Sequence, residues 1–125
     1  MRRIAAVLTA ITAILHLYFL VLEMFLWQTP FGLQVFNMTA QEAQETANLA
    51  KNQGLYNGFL AAGLIWSFFI SNTAFQRSIR FFFLSCIIIA GVYAGILVKF
   101  SIIIIQALPA LLAILAVKYS TESQK

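Results

Sequence analysis

A histidine and a glutamate, His16 and Glu23, interrupt an otherwise apolar stretch near the N-terminus. On a helix of 100° per residue, Thr9, Thr12, His16, Leu20, Glu23 and Trp27 stay within about 40° of His16, which predicts a single stripe. An imidazole and a carboxylate are the side chains most used to move protons, and each can also hold the polar head of a ligand. Facing lipid, an ionised glutamate near the centre of a membrane helix costs roughly 2.5 kcal/mol or more, so the stripe is expected to face other helices. The plainer alternative is a neutral or snorkelling Glu23 that serves as hydrogen-bonding glue. Intramembrane ionisable groups more often mark function, and that reading is preferred.

A second polar group follows in Asn52-Gln53-Gly54-Leu55-Tyr56-Asn57-Gly58. Gln53 and Asn57 are separated by four residues and Tyr56 lies beside them, so one helix face gathers several hydrogen-bonding side chains. Gly54 with Gly58, and Gly91 with Gly95, form G-x-x-x-G pairs that let helix backbones approach closely. We read these pairs as packing surfaces, with homo-oligomerisation through either one as a use. Metal binding has little support: His16 and Glu23 are about 10.5 Å apart along a helix axis, and there is no second histidine. Nucleophilic catalysis is equally thin, because Cys86 and the serines lie away from His16 in depth. Cys86, in an apolar stretch, is expected to be structural. No glycine-rich phosphate loop is present, and no cofactor is expected.

Positioning these residues requires membrane-length elements. Residues 4–27 form an apolar run of 24 residues, about 36 Å as a helix. A cleaved secretory leader is shorter, ends in a small-x-small site and rarely carries a glutamate, so this run is expected to be retained as a span. Pro30 is expected to end it. Residues 28–53 form the long polar stretch, in which Thr39-Ala40-Gln41-Glu42 has capping-box spacing and predicts a helix from about Ala40. That helix can run on toward a second span at 54–70, with a kink expected near Gly54. Residues 71–77 read as a short turn, 79–98 as a third span and 100–117 as a fourth, joined by a hairpin at Lys99. A polar tail begins at Lys118. The whole chain reads as one all-α domain, a four-helix membrane bundle with an amphipathic helix in the loop between the first two spans.

Composition agrees with that architecture. Of 125 residues, 62% are hydrophobic and 10% charged, too few charges to cover a soluble globule of this length. The same numbers speak against disorder and against nucleic-acid binding, and a lone cysteine excludes an intramolecular disulfide. Four spans place both termini on one side. Arg2, Arg3, Arg77, Arg80, Lys118 and Lys125 fall on that side, against Lys51 and Lys99 on the other. The positive-inside rule then makes both ends cytoplasmic, in a bacterial inner membrane. Phe31, Leu33, Val35 and Phe36 suggest that the long loop rests on the outer membrane surface. With this topology Glu23, Trp27, Asn52, Gln53, Tyr56 and Asn57 lie toward the outer leaflet. Tyr93 and Gln106 lie roughly 9 and 10 Å below Lys99. The expectation is a polar chamber that opens outward, with Glu23 at its heart and His16 beneath. For Trp27 alone, interfacial anchoring is the simpler account.

The segment from His16 to Trp27, the loop with Phe36, and the run from Asn52 to Gly63 together resemble the DUF1304 family of small bacterial integral membrane proteins, without departure in either motif. The resemblance covers nearly the whole chain and implies a four-helix membrane protein of unknown function. Three functions fit the residues. The leading one is a chamber for a small amphipathic or lipid-like ligand gripped by Glu23, Gln53 and Asn57. The second is a membrane-embedded enzyme using Glu23 and His16 as an acid/base pair on a lipid or isoprenoid-like substrate. The third is a small proton-coupled exporter, which the charge bias opposes if dual orientation is needed.

Overall fold

The computed structural model describes residues 1–122, the last two by backbone alone, and the regular structure among them is entirely helical. Residues 123–125, including the topology charge of Lys125, lie outside the described residues. Helix α1 spans Arg2–Met24. It stops three residues before the expected end, and Pro30 is not its terminator. Pro30 opens a second, short helix, α2 (Pro30–Phe36), where its missing N–H costs nothing. Thr29 makes the junction: its hydroxyl donates to Leu26 O (2.7 Å) and accepts from Gly32 N (3.2 Å). A Cβ at Gly32 would overlap the carbonyl oxygen of Leu26, so the chain can fold back here only with glycine. Asn37 closes α2 in the left-handed region at φ 50°.

Helix α3 (Ala40–Trp66) begins where the capping box predicts. The Thr39 N–H donates to the Glu42 carboxylate at 2.7 Å, and the Glu42 N–H donates to the Thr39 hydroxyl at 3.2 Å. The helix then runs unbroken through Gly54, so the loop helix and the start of the second apolar segment are one element. After Trp66 a 3-10 turn, Ser67–Phe69, and extended Ile70 reverse the chain. Asn72 Oδ1 accepts from Phe75 N at 2.9 Å and starts α4 (Thr73–Leu97), several residues earlier than the turn expected over 71–77. A tight connection at Lys99 leads to a π-helical segment, Ile103–Ala107, and to α5 (Leu108–Glu122). Pro109 explains the wide turn. It has no N–H for the carbonyl of Ile105 and its ring crowds that carbonyl, while Leu108 N–H bonds to Ile103 O, five residues back.

Among the described residues, three segments are long and apolar enough to cross a membrane: Arg2–Met24, Thr73–Leu97 and Ile103–Ser120. Helix α3 is not among them, because Lys51, Asn52, Gln53 and Asn57 interrupt its apolar half.

The chain divides into two compact units, His16–Phe59 and a unit of Met1–Leu15 with Leu60–Lys125. In the larger unit, Ala5, Ala13, Leu64, Leu84, Ile87, Ala110, Ala113 and Val117 form the buried core. Alanines on α5 let that helix approach the leucine and isoleucine of α4 closely, the small-residue packing usual between membrane helices. Gly91 meets Ala107 N, and Gly95 meets Ile103, so this glycine pair receives the π-helical segment. Cys86 is free and half-buried.

Candidate functional site

The site is built in the unit His16–Phe59, where the end of α1 meets the middle of α3. Gly54 permits the approach: a Cβ there would stand 2.6 Å from Met24 Cγ and 3.2 Å from Leu20 O, and Gly58 lies against Leu20 in the same way. With the two backbones this close, the short Asn57 amide reaches across and donates to the Glu23 carboxylate at 2.7 Å. The partners are 34 residues apart in sequence, and both are buried, Glu23 at 8% exposure and Asn57 at 9%.

The remaining predicted residues divide. His16 is fully buried on the same helix as Glu23, edge-on to Phe19 at 5.5 Å. Thr9 and Thr12 of the stripe are also fully buried, and the Thr9 hydroxyl donates to Ala5 O at 2.7 Å. Trp27 lies beyond the helix end, so helical spacing does not place it on the stripe. It is held by the loop instead: its Nε1 donates to Thr46 Oγ1 at 3.0 Å and its ring packs on Phe36 at 4.5 Å. Asn52, Gln53 and Tyr56 are exposed, and the carboxylate of Glu23 is bonded by Asn57 rather than Gln53. The buried face of α3 runs through Ala43, Ala50, Gly54 and Asn57, and Gln53 falls at its edge. Tyr93 and Gln106 belong to the other unit, where Tyr93 is exposed and Gln106 packs its Cγ against Gly91.

Next to Met24 lies a half-open cleft of about 340 Å³, whose lining does not include Glu23 or Asn57. Met24, Phe25, Trp27 and Ala47 give it apolar walls, and Gln28, Thr29 and Lys51 give it polar ones. That volume is at the lower end of the range of small-molecule sites, and an apolar wall with a few polar groups is their usual composition. Gln28, Thr29, Thr46 and Lys51 were not legible as site residues, since none belongs to a periodic pattern. The non-helical turn after Met24 brings the first two there.

At the start of α3 the electrostatics are local. The Glu42 carboxylate accepts from the backbone N–H and the hydroxyl of Thr39, and these bonds hold its pKa below the ordinary carboxylate value.

The sequence pattern of the family described as "Protein of unknown function (DUF1304)" matches residues 10–118. An uncharacterised protein, YpaA, of Lactococcus lactis subsp. lactis (strain IL1403) is 32% identical over 112 residues, covering 88% of this chain and 92% of the relative. No solved structure matches the chain. The family match runs through every residue of the polar cluster described above, and on that match the chain belongs to the DUF1304 family.

Proposed function

We propose that this is a four-span protein of the bacterial inner membrane, with cytoplasmic termini, that binds a small amphipathic or lipid-like ligand through the Glu23–Asn57 pair. The observation that carries this reading is the buried bond between Glu23 and Asn57, which costs a desolvated carboxylate and amide in an otherwise apolar setting. The neighbouring cavity, with its apolar walls and its single cation, Lys51, suits a ligand that has an apolar body and a polar or anionic head. The apolar half of α3 is the second of the four spans in this proposal, and the six-to-two distribution of Lys and Arg sets the orientation. Binding is favoured over acid/base catalysis because His16 is wholly buried two turns from Glu23, about 10.5 Å along the axis.

The test is thermal melting of the purified protein with fractionated membrane lipid extract, followed by mass spectrometry of what stays bound and whether it is altered. A retained, unaltered amphiphile that is lost in Glu23→Ala and Asn57→Ala supports binding. Chemical alteration of that amphiphile would replace binding with catalysis, and retention indifferent to both substitutions would sink the site. Reporter fusions after residue 125 and within residues 41–48 should report opposite sides, with the C-terminal one cytoplasmic.

A further inference from the structure

Arg80 is buried in α4, at 7% exposure, about 10 Å along the axis from the helix start. Its surroundings fix the guanidinium. Nε donates to the Ser67 hydroxyl at 3.0 Å, and Cζ sits over the Phe68 ring at 4.7 Å. Ser67 is itself held: its hydroxyl donates to Leu64 O at 2.6 Å, and its carbonyl accepts from Gln76 Nε2 at 2.9 Å. The 3-10 turn and the first turns of α4 therefore orient one edge and one face of the guanidinium. Among the described residues Arg80 makes its hydrogen bond through Nε, and its two terminal nitrogens, which are not fully buried orphans, open toward the surface of the turn.

Charge gives these nitrogens a task. Residues 1–15 and 60–122 contain Arg2, Arg3, Arg77, Arg80, Lys99 and Lys118 against one carboxylate, Glu122 at the end of α5. A buried guanidinium without an opposite charge is expensive, and none of the described side chains of this stretch is a carboxylate. Arg77 lies three residues earlier on α4, its guanidinium over Phe81 at 5.2 Å, so a second cation flanks the first. Exposed Trp66, Phe69 and Phe75 surround the same turn, the aromatic clustering found where a membrane meets water and where lipid phosphates lie.

We propose that Arg80 is the anchor of an oxyanion site at this turn, taking the phosphate of an anionic membrane lipid through its two terminal nitrogens, with Arg77 as the flanking charge. A planar fork fixed at Nε matches the two oxygens of a phosphate, and lysine cannot reproduce that geometry. This site is separate from the Glu23–Asn57 pair and does not depend on it.

The experiment uses the full chain in uncharged maltoside micelles, titrated with dioleoylphosphatidylglycerol, dioleoylphosphatidylcholine or sodium phosphate, and read by native mass spectrometry and by melting temperature. The expected result is retention of phosphatidylglycerol that falls about ten- to a hundredfold in Arg80→Gln, the range for a lost hydrogen bond to a charged group. Arg80→Lys should lose less, and Arg77→Gln least. Arg80-dependent retention of lipid places the oxyanion in a headgroup, whereas an equal Arg80-dependent response to sodium phosphate places it in free phosphate. Either supports the site. Should Arg80→Gln fail to fold, Arg80→Lys and Ser67→Ala carry the test, each weakening retention in a folded protein. Binding that is indifferent to position 80 and to Ser67, or no binding of any of the three probes to the unsubstituted protein, would overturn it.

Discussion

The two units hold themselves together by different means. In the unit His16–Phe59, side-chain hydrogen bonds join distant segments, Asn57 to Glu23 and Trp27 to Thr46, and the reciprocal bonds of Thr39 and Glu42 close the start of α3. In the other unit, alanines on α5 pack against Leu84 and Ile87, and residues 1–15 and 60–122 carry six basic residues against one glutamate. Residues 16–59 carry three glutamates and one lysine. Lipid gives helices no hydrophobic reason to associate, so long apolar helices gain by close packing of small residues. A short, partly polar segment has no such surface to offer, and specific polar bonds must position it.

The largest effect should come from the apolar unit. Leu84→Ala removes a fully buried side chain from a close-packed core, with an expected loss of about 2–5 kcal/mol in detergent unfolding. A loss no larger than that of the Glu23 substitution below would break the contrast between the units. Gly32→Ala comes next, because its Cβ meets backbone that cannot move aside as a side chain can; the expected loss is about 1–3 kcal/mol. Its marker is loss of the Trp27–Phe36 contact, read as a shift in tryptophan emission, and an unchanged spectrum would contradict the tight fold-back.

A smaller effect is expected at the polar pair. Glu23→Ala should cost about 0.6–2 kcal/mol, the span for hydrogen bonds between membrane helices, while Glu23→Gln keeps an acceptor for Asn57 and should melt close to the unsubstituted protein. Equal destabilisation by both would mean that the charge matters rather than the bond.

The smallest effect is at Glu42, where pH gives the sign. Its folded pKa lies below the ordinary value, so the support it gives the start of α3 is present above the ordinary carboxylate pKa, and is lost as pH falls through the folded one. Amide-exchange protection at Glu42 and Ala43 should decline on acidification below about pH 4. Glu42→Gln should remove that decline, and a decline that persists in the variant would assign it elsewhere.

The helical class and the start of α3 were decided locally, and there too Glu23 and Asn57 stand out as polar residues in apolar surroundings. A capping box depends on residues three apart, and an apolar run or a carboxylate within one is visible one residue at a time. The end of α1 was not legible, because it depends on Thr29 bonding back to Leu26 and on the glycine at position 32 admitting the carbonyl of Leu26. Pro30 therefore reads as a stop in sequence and acts as a start in the fold. Arg80 reads as a topology charge in sequence, since nothing near it in the chain reveals burial. Only the packing of the Ser67–Phe69 turn onto α4 gives its guanidinium a fixed direction. Periodicity placed Glu23 and Asn57 each on an inward face of its own helix, but their partnership needed the tertiary structure. Whether Gln53 or Asn57 meets Glu23 depends on the register of α3, about 6 Å along its axis with about a tenth of a turn of rotation, and that register is set by Gly54 and Gly58 resting on Leu20 and Met24.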